Sequence, residues 1–144
     1  MMEVCHKGLE DTRYLKKIKN NCKVLEIGAG TSPHLKYVKH KFGKYYFIET
    51  SKFAINFLKK KFGDDKKFKF KTYNGRKIPY KKNYFDRIII SHVLEHISDP
   101  EFFLEEMMSK LKKNGFNGFL IGEKFMKKDH PGFEAKKFIK KIEK

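Results

Sequence analysis

The chain has 144 residues and a formal net charge of +17, and 40% of its residues are hydrophobic. This length suffices for one domain with a buried core, so we expect residues 1–144 to form a single domain. The two cysteines, Cys5 and Cys22, are too few for a disulfide framework or a zinc site, and we expect no bound metal. The sequence has neither a secretory leader nor an apolar run of about 18 residues, which predicts a cytoplasmic protein without a membrane span.

The excess of positive charge raises the question of a nucleic-acid partner, because lysine-rich surfaces bind phosphate backbones. Only three of the 34 basic residues are arginine, the residue that nucleic-acid surfaces favour for bidentate contacts. The lysines are scattered along the whole sequence, and Lys, Phe, Tyr, Ile and Asn share A/T-rich codons. We therefore interpret the lysines as a solvated surface that reflects genome composition, and we do not favour nucleic acid as the partner.

Helix and strand patterns alternate along the chain. In chain order they predict a helix over 9–20, a strand over 23–27, a helix over 33–42, a strand over 45–48, a helix over 51–62, an edge strand over 68–72, a strand over 85–90, a helix from Asp99-Pro100 to Asn114-Gly115, a strand over 116–121 and a helix over 133–143. This order predicts an α/β fold: a Rossmann-like three-layer sandwich with a mainly parallel five-stranded sheet, truncated after the fifth strand except for a C-terminal helix.

A glycine turn after the first predicted strand is the most informative feature. Gly28 and Gly30 allow the backbone to turn tightly and to approach a ligand at the carboxyl end of the strand. We expect Ser32 to cap the following helix and Pro33 to occupy its first position. Pro33 stands where a dinucleotide-binding turn needs a third glycine, and no Walker lysine follows, so the turn fits a nucleoside without a phosphate chain. Glu26 is able to face a cation there. Adenosylmethionine, a nucleoside with ammonium, carboxylate and sulfonium groups, fits this description.

Four motifs in a fixed order carry a resemblance to a known family. They are Leu25-Glu26-Ile27-Gly28-Ala29-Gly30, Ile48-Glu49-Thr50-Ser51, Ile78-Pro79-Tyr80, and Tyr84-Phe85-Asp86 leading to Ser91-His92-Val93-Leu94-Glu95-His96. Together they resemble the class I S-adenosylmethionine-dependent methyltransferases, and most closely the small-molecule branch often called type 11. The likeness covers residues 20–123.

The resemblance implies S-adenosyl-L-methionine as cofactor and S-adenosyl-L-homocysteine as product. It places these residues against the cofactor: Glu26, Gly28, Ala29, Gly30, Glu49, Thr50, Asn74, Gly75 and Ser91. In this assignment Glu26 favours the ammonium group, Glu49 accepts hydrogen bonds from both ribose hydroxyls, and the amide oxygen of Asn74 accepts one from the adenine amino group.

Two histidines are candidate catalytic residues. His92 and His96 follow the fourth predicted strand, and either could take a proton from an oxygen or nitrogen nucleophile at neutral pH. For His96 a structural role is the favoured interpretation, since many methyl transfers need no base. We expect His34 to be an exposed helix residue.

The resemblance further implies methyl transfer by in-line displacement to a small-molecule or glycan-precursor acceptor. Two alternatives stay open: an adenosylmethionine-binding partner or scaffold subunit with little activity, and an RNA methyltransferase. Neither the Asn/Asp-Pro-Pro-aromatic motif of DNA amino-methylating enzymes nor a cysteine nucleophile follows the fourth strand. The sequence after the fifth strand predicts a loop and a helix where the family has a β-hairpin, so either the C-terminal helix covers the apolar edge at 116–121 or another chain pairs with it, and we expect a homodimer or a partner subunit.

Overall fold

The computed structural model describes residues 20–112 with the exception of Pro33 and Ser91. Four strands lie in this part of the chain: β1 at Lys23–Ile27, β2 at Lys44–Glu49, β3 at Phe68–Thr72 and β4 at Arg87–Ile90. They form one sheet in the order β3-β2-β1-β4, and every neighbouring pair is parallel. The prediction of a mainly parallel sheet is therefore confirmed.

Three predicted elements fall outside the described residues. They are the fifth strand over 116–121, the helix over 133–143 and, apart from residue 20, the helix over 9–20. The expected pairing of a partner along the edge at 116–121 belongs to the same segment and stays a prediction.

Two helices cover opposite faces of the sheet: α1 at Lys52–Phe62 and α2 at Pro100–Lys110. Successive side chains of a strand point to opposite faces, and both sets are buried in β1 and β2. The core on the α1 face includes Val24, Tyr45, Phe47, Leu58 and Ile89. The core on the α2 face includes Leu25, Ile27, Tyr46, Ile48, Phe103 and Leu104. This arrangement confirms the predicted three-layer sandwich.

Helix α1 begins and ends where its sequence predicts. The hydroxyl of Ser51 accepts a hydrogen bond from the Ala54 N–H at 3.3 Å, which satisfies a free donor of the first turn. Ile55 and Leu58 form the buried face of the helix, and Gly63 follows its last residue.

Helix α2 begins as predicted but ends earlier than the sequence suggests. Asp99 accepts a hydrogen bond from the Phe102 N–H at 3.0 Å, and Pro100 is the first helical residue. The helix ends at Lys110, not at Asn114-Gly115, because Leu111 is extended and pairs in parallel with Phe85. Neither α1 nor α2, with 11 residues each, is long enough to cross a bilayer, and no other helix in the described ranges is.

The predicted helix over 33–42 is wrong for the described residues of that segment. Only a single 3₁₀ turn forms, at Leu35–Tyr37, and the next residue is extended. Ser32 has a φ of +56°, outside the extended conformation of an N-cap, and its hydroxyl lies 3.4 Å from Glu26. His34 is buried beside the same carboxylate, so the expectation of an exposed histidine is also wrong. These buried polar contacts hold the segment near the sheet in place of a regular helix.

Candidate functional site

A cavity of about 720 Å³ opens at the carboxyl ends of the strands. The chain crosses from one side of β1 to the other between β3 and β4, and in open α/β sheets ligands bind where the strand order reverses in this way. The cavity wall contains these predicted site residues: Gly28, Glu49, Thr50, Asn74, Gly75, His92 and His96. The structure thus brings together residues from four separate segments of the sequence.

Gly28 forms the floor of the cavity between β1 and the segment after β4. Its φ of +68° lies in the left-handed region, which L side chains rarely adopt. A Cβ atom at this position would collide with Cγ2 of Val93. The Gly28 N–H donates to the Ile48 carbonyl at 3.0 Å, so the turn is also tied to the end of β2. Only glycine allows both this conformation and this close approach.

Glu49 presents its carboxylate to the cavity from the last position of β2. One carboxylate oxygen accepts the Gly30 N–H at 2.7 Å, and the other accepts the Thr50 N–H at 3.1 Å. A carboxylate has about four acceptor sites, so two remain for a ligand with adjacent hydroxyl groups. Glu49 is half-buried, which keeps it accessible from the cavity.

Tyr73 lies beside Glu49 and was not predicted as a site residue. Its N–H donates to the Glu49 carbonyl at 3.0 Å, and the side chain lines the cavity. Burial, with a smaller contribution from the negative charge of Glu49, raises the pKa of Tyr73 to about 12. At neutral pH the phenol is therefore a hydrogen-bond donor and carries no charge.

Glu26 lies beneath the glycine turn and is not on the cavity wall. Its side chain is almost fully buried, and its carboxylate accepts the Tyr45 hydroxyl at 2.7 Å. Nδ1 of His34 lies 2.9 Å from the carboxylate and the Ser32 hydroxyl lies 3.4 Å away. Burial, and then the charge of Glu26, raise the pKa of Tyr45 well above its ordinary value. The carboxylate thus connects β1, β2 and the segment after the turn.

The two other residues of the turn occupy different positions from Gly28. Ala29 is buried, and the main contact of Gly30 is the N–H that it donates to Glu49. Neither residue is on the cavity wall, so a cofactor role for them stays a prediction.

Asn74 and Gly75 form a tight loop after β3. The Asn74 amide oxygen accepts the N–H groups of Arg76 at 3.1 Å and Lys77 at 2.9 Å, and Gly75 has a φ of +76°. The oxygen that the resemblance assigns to adenine is therefore bonded to the loop backbone. The amide NH₂ of Asn74 has no partner among the described residues, so the group that this loop offers to a ligand is a donor.

His92 and His96 both line the cavity and are both exposed. His92 has a φ of +55°, an uncommon conformation for a residue other than glycine. The His96 N–H donates to the Val93 carbonyl at 2.9 Å within the 3₁₀ turn Leu94–His96. Ser91, the remaining predicted site residue, lies outside the described residues.

Other residues on the cavity wall had no recognisable motif in the sequence. Arg76 follows the Asn74-Gly75 loop, and Phe102 lies in the first turn of α2. The only signal for Arg76 was its position next to an Asn-Gly pair. Across the described ranges, no group of three His, Cys, Asp or Glu side chains could hold a metal ion.

Comparison with known proteins gives a family match and a consistent fold. The family model described as Methyltransferase domain matches residues 25–118. A SAM-dependent methyltransferase from Aquifex aeolicus is 24% identical, with a TM-score of 0.65 over 94% of this chain and 80% of that chain. The CurJ carbon methyltransferase is 18% identical, with a TM-score of 0.71 over 97% of this chain and 47% of its own. At these identities the two structures establish the fold.

Among curated proteins, a highly reducing polyketide synthase, GPY1, from Gibberella fujikuroi is 29% identical over 72% of this chain. The match spans only 4% of the synthase. The family model, in contrast, covers well over half of the 144 residues and includes the last three residues of β1 and all of β2 to β4, α1 and α2. The chain therefore belongs to the Methyltransferase domain family of class I S-adenosylmethionine-dependent methyltransferases.

Proposed function

We propose that this chain binds S-adenosylmethionine and transfers its methyl group to a small-molecule acceptor. The observation that carries the proposal is the Glu49 carboxylate, which faces the cavity at the end of β2 while the Gly30 and Thr50 N–H groups hold it in place. A fixed carboxylate with two unused acceptor sites suits a ribose with two adjacent hydroxyl groups. The chain spans 4% of its curated relative and 47% of the CurJ chain, so activity and substrate are inferred here from the site.

The shape of the cavity supports a nucleoside ligand next to Glu49. The Val93 side chain packs directly against Gly28, which has no Cβ to collide with it, and both residues line the cavity. The Asn74 amide oxygen already accepts two loop N–H groups, so we assign its amide NH₂ to the adenine ring as a donor, an alternative to the acceptor role that the resemblance implies. Glu26 supports the cofactor site indirectly, because its carboxylate contacts Tyr45, Ser32 and His34 and so holds the glycine turn in place.

When bound, adenosylmethionine supplies a methyl group that its sulfonium already activates. The protein then has to align the acceptor atom with the methyl carbon and sulfur and to exclude water; such orientation can contribute about 7–11 kcal/mol to lowering a barrier. The acceptor gains a bond to the methyl carbon as the carbon–sulfur bond breaks. His92 and His96 are the groups on the wall that can accept the acceptor's proton.

A small-molecule acceptor would share this cavity with the cofactor. The cavity volume, about 720 Å³, lies within the usual range of small-ligand sites. Its wall combines apolar side chains, such as Val93, Ile97 and Phe103, with a few polar groups.

Calorimetric titration with adenosylhomocysteine and adenosylmethionine tests the proposal. We expect the wild-type chain to bind both, and Glu49→Gln to bind them about 10-fold to 100-fold more weakly, because an amide cannot accept from both hydroxyls as a carboxylate does. Glu105→Gln is the matched control, since Glu105 is an exposed residue of α2 away from the cavity, and it should bind like wild type. Folded wild-type protein that binds neither compound would refute the proposal.

A second measurement separates the alternatives. Transfer of a radiolabelled methyl group to a small-molecule extract supports the proposed acceptor class. Binding without any transfer identifies a cofactor-binding partner subunit. Transfer to RNA, with an affinity that falls steeply with salt, identifies an RNA methyltransferase.

A further inference from the structure

One wall of the cavity lies apart from the glycine turn and carries a cation on an aromatic ring. The guanidinium carbon of Arg76 lies 5.2 Å from the ring centroid of Phe102, and both side chains line the cavity. Phe102 lies in the first turn of α2 and is 41% exposed, so one side of its ring is open to the cavity. The ring offers a flat apolar surface, and the guanidinium lies over it.

The guanidinium of Arg76 is free to bind a ligand. No carboxylate within the described residues pairs with it, although two carboxylates lie on the same cavity wall. Asp99 accepts the Phe102 N–H at 3.0 Å as the cap of α2. Glu49 accepts the N–H groups of Gly30 and Thr50. Both carboxylates are bonded to backbone donors, and neither of them forms an ion pair with the Arg76 guanidinium.

The backbone of Arg76 is held firmly. Its N–H donates to the Asn74 amide oxygen at 3.1 Å, and the Lys77 N–H donates to the same oxygen at 2.9 Å. The loop therefore fixes where the side chain starts, and the contact with Phe102 fixes where it ends. A planar guanidinium binds a carboxylate or phosphate through two parallel hydrogen bonds, which a lysine cannot do. This chain contains only three arginines, and Arg76 places one of them on the cavity wall.

We propose that Arg76 and Phe102 form a subsite for an anionic acceptor that carries a carboxylate or phosphate group next to an aromatic or apolar portion. Arg76 binds the anionic group, and the apolar portion packs on Phe102 and on the nearby Val93 and Ile97. This inference rests on the proposed methyl transfer, because it assigns the acceptor's place in the same cavity. The anionic group could belong to the acceptor or to the cofactor's own carboxylate, and the experiment separates these two sources.

The test measures binding of three probes to the full chain, with and without saturating adenosylhomocysteine. Benzoate and phenyl phosphate carry the anionic group on an aromatic ring, and benzamide is the neutral analogue. Dissociation constants are obtained from NMR chemical-shift titrations of the wild type, Arg76→Met, Arg76→Lys and the control Lys77→Met. Lys77 is the next residue, is exposed and does not line this cavity. Lys77→Met therefore removes one positive charge, as Arg76→Met does, without changing the cavity wall.

We expect both anions to bind the wild type and Lys77→Met equally, and to bind Arg76→Met about tenfold more weakly. Arg76→Lys should fall between them, because it keeps the charge and loses the planar fork. Benzamide should bind all four proteins with the same weak affinity. A thermal unfolding midpoint equal to that of the wild type shows that a variant is folded. If Arg76→Met does not fold, the affinities of Arg76→Lys are compared with those of the wild type instead.

Three results would overturn the inference. One is that the anions bind the wild type no better than benzamide does, and another is that Lys77→Met and Arg76→Met weaken anion binding equally, which would indicate an effect of net charge alone. Weaker adenosylhomocysteine binding by Arg76→Met would assign the guanidinium to the cofactor. Failure of the wild type to bind adenosylhomocysteine refutes the proposed function, whereas normal adenosylhomocysteine binding without anion binding refutes only this subsite.

Discussion

The Glu26 carboxylate lies beneath the glycine turn, and three polar side chains surround it. A buried carboxylate is costly unless hydrogen bonds compensate it, and Tyr45, His34 and Ser32 lie within reach. Removal of one partner would leave part of the desolvation cost of the carboxylate without a compensating hydrogen bond. The stability of the turn therefore depends on all three side chains together. Glu49 differs because it remains half-exposed and keeps acceptor sites for a ligand. Two acidic residues near the carboxyl ends of the adjacent strands β1 and β2 thus differ in burial, and this difference separates their roles.

Cys22 permits a direct test of burial at a single residue. The thiol is 1% exposed, and burial, followed by the nearby charge of Asp86, raises its pKa to about 11. At pH 8 only about a thousandth of such a thiol is thiolate, against roughly a quarter of an ordinary cysteine. In a Cys5→Ser variant, which leaves Cys22 as the only cysteine, alkylation by iodoacetamide at pH 8 should be at least about 100-fold slower than in the same protein unfolded in guanidinium.

The pH dependence of this reaction has a definite sign. Since pH 8 and pH 9 both lie below the folded pKa, the native rate should rise about tenfold between them, whereas the unfolded rate should rise only about threefold. Mass spectrometry of the labelled protein measures both rates. Equal rates in the native and unfolded protein would contradict the buried position of Cys22.

The elements that the sequence predicted well are those whose own residues determine them. The spacing of Ile55 and Leu58, the Ser51 cap and Gly63 predicted α1, and alternation between apolar runs and helices predicted the parallel sheet. The segment after the glycine turn has a similar helical spacing, yet it forms only the turn Leu35–Tyr37. There a long-range contact with Glu26 overrides local preference, and no local pattern reports such a contact.

The same distinction applies to the end of α2 and to the cavity. The helix ends at Lys110 because Leu111 pairs with Phe85, a residue far away in sequence. Glu49 could be placed at the cavity because it ends a strand, and the family resemblance identified its position. Arg76 and Phe102 could not be paired from sequence, because their contact depends on how the loop after β3 lies against α2.

Strand β2 anchors the α1 face of the core through one ring. Phe47 stacks with Phe62 of α1 at 5.8 Å between centroids, and with Phe68 and Phe70 of β3 at 5.7 and 5.5 Å. Phe47→Ala should lower the free energy of unfolding by about 3–5 kcal/mol, through lost burial and a cavity among these rings. The matched control is Phe53→Ala on the outer side of α1, where the ring is 82% exposed; a change within about 0.5 kcal/mol is expected.

Urea denaturation of both phenylalanine variants measures these values. A loss below about 1 kcal/mol for Phe47→Ala would show that the face does not depend on this ring. A similar loss for Phe53→Ala would show that the outer side of α1 is covered in solution.

At the scale of the whole molecule, positive charge is in excess and only partly paired. Within the described part of the chain, acidic partners hold Lys67, Lys110 and Lys112, at 2.9, 3.1 and 2.7 Å. The sequence has 34 basic and 17 acidic residues and a formal net charge of +17, so repulsion between positive charges outweighs attraction over the molecule. The edge strand β3 also presents Lys69 and Lys71 to solvent, which opposes pairing with another chain.

Salt should therefore stabilise this fold. Screening shortens the range of charge interactions from about 10 Å at 0.1 M to about 3 Å at 1 M ionic strength, and it weakens long-range repulsion more than the close ion pairs. We expect the midpoint of thermal unfolding to rise steadily between 0.1 and 1 M NaCl.

A variant in which four exposed lysines are replaced tests the same repulsion: Lys60→Gln, Lys66→Gln, Lys69→Gln and Lys82→Gln. Its net charge falls from +17 to +13, so its unfolding midpoint at 0.1 M NaCl should be higher and the rise of that midpoint with salt smaller. Calorimetry of both proteins across the salt series makes the comparison. A midpoint that stays constant or falls with NaCl, or an equal rise in both proteins, would mean that repulsion among these lysines does not limit stability.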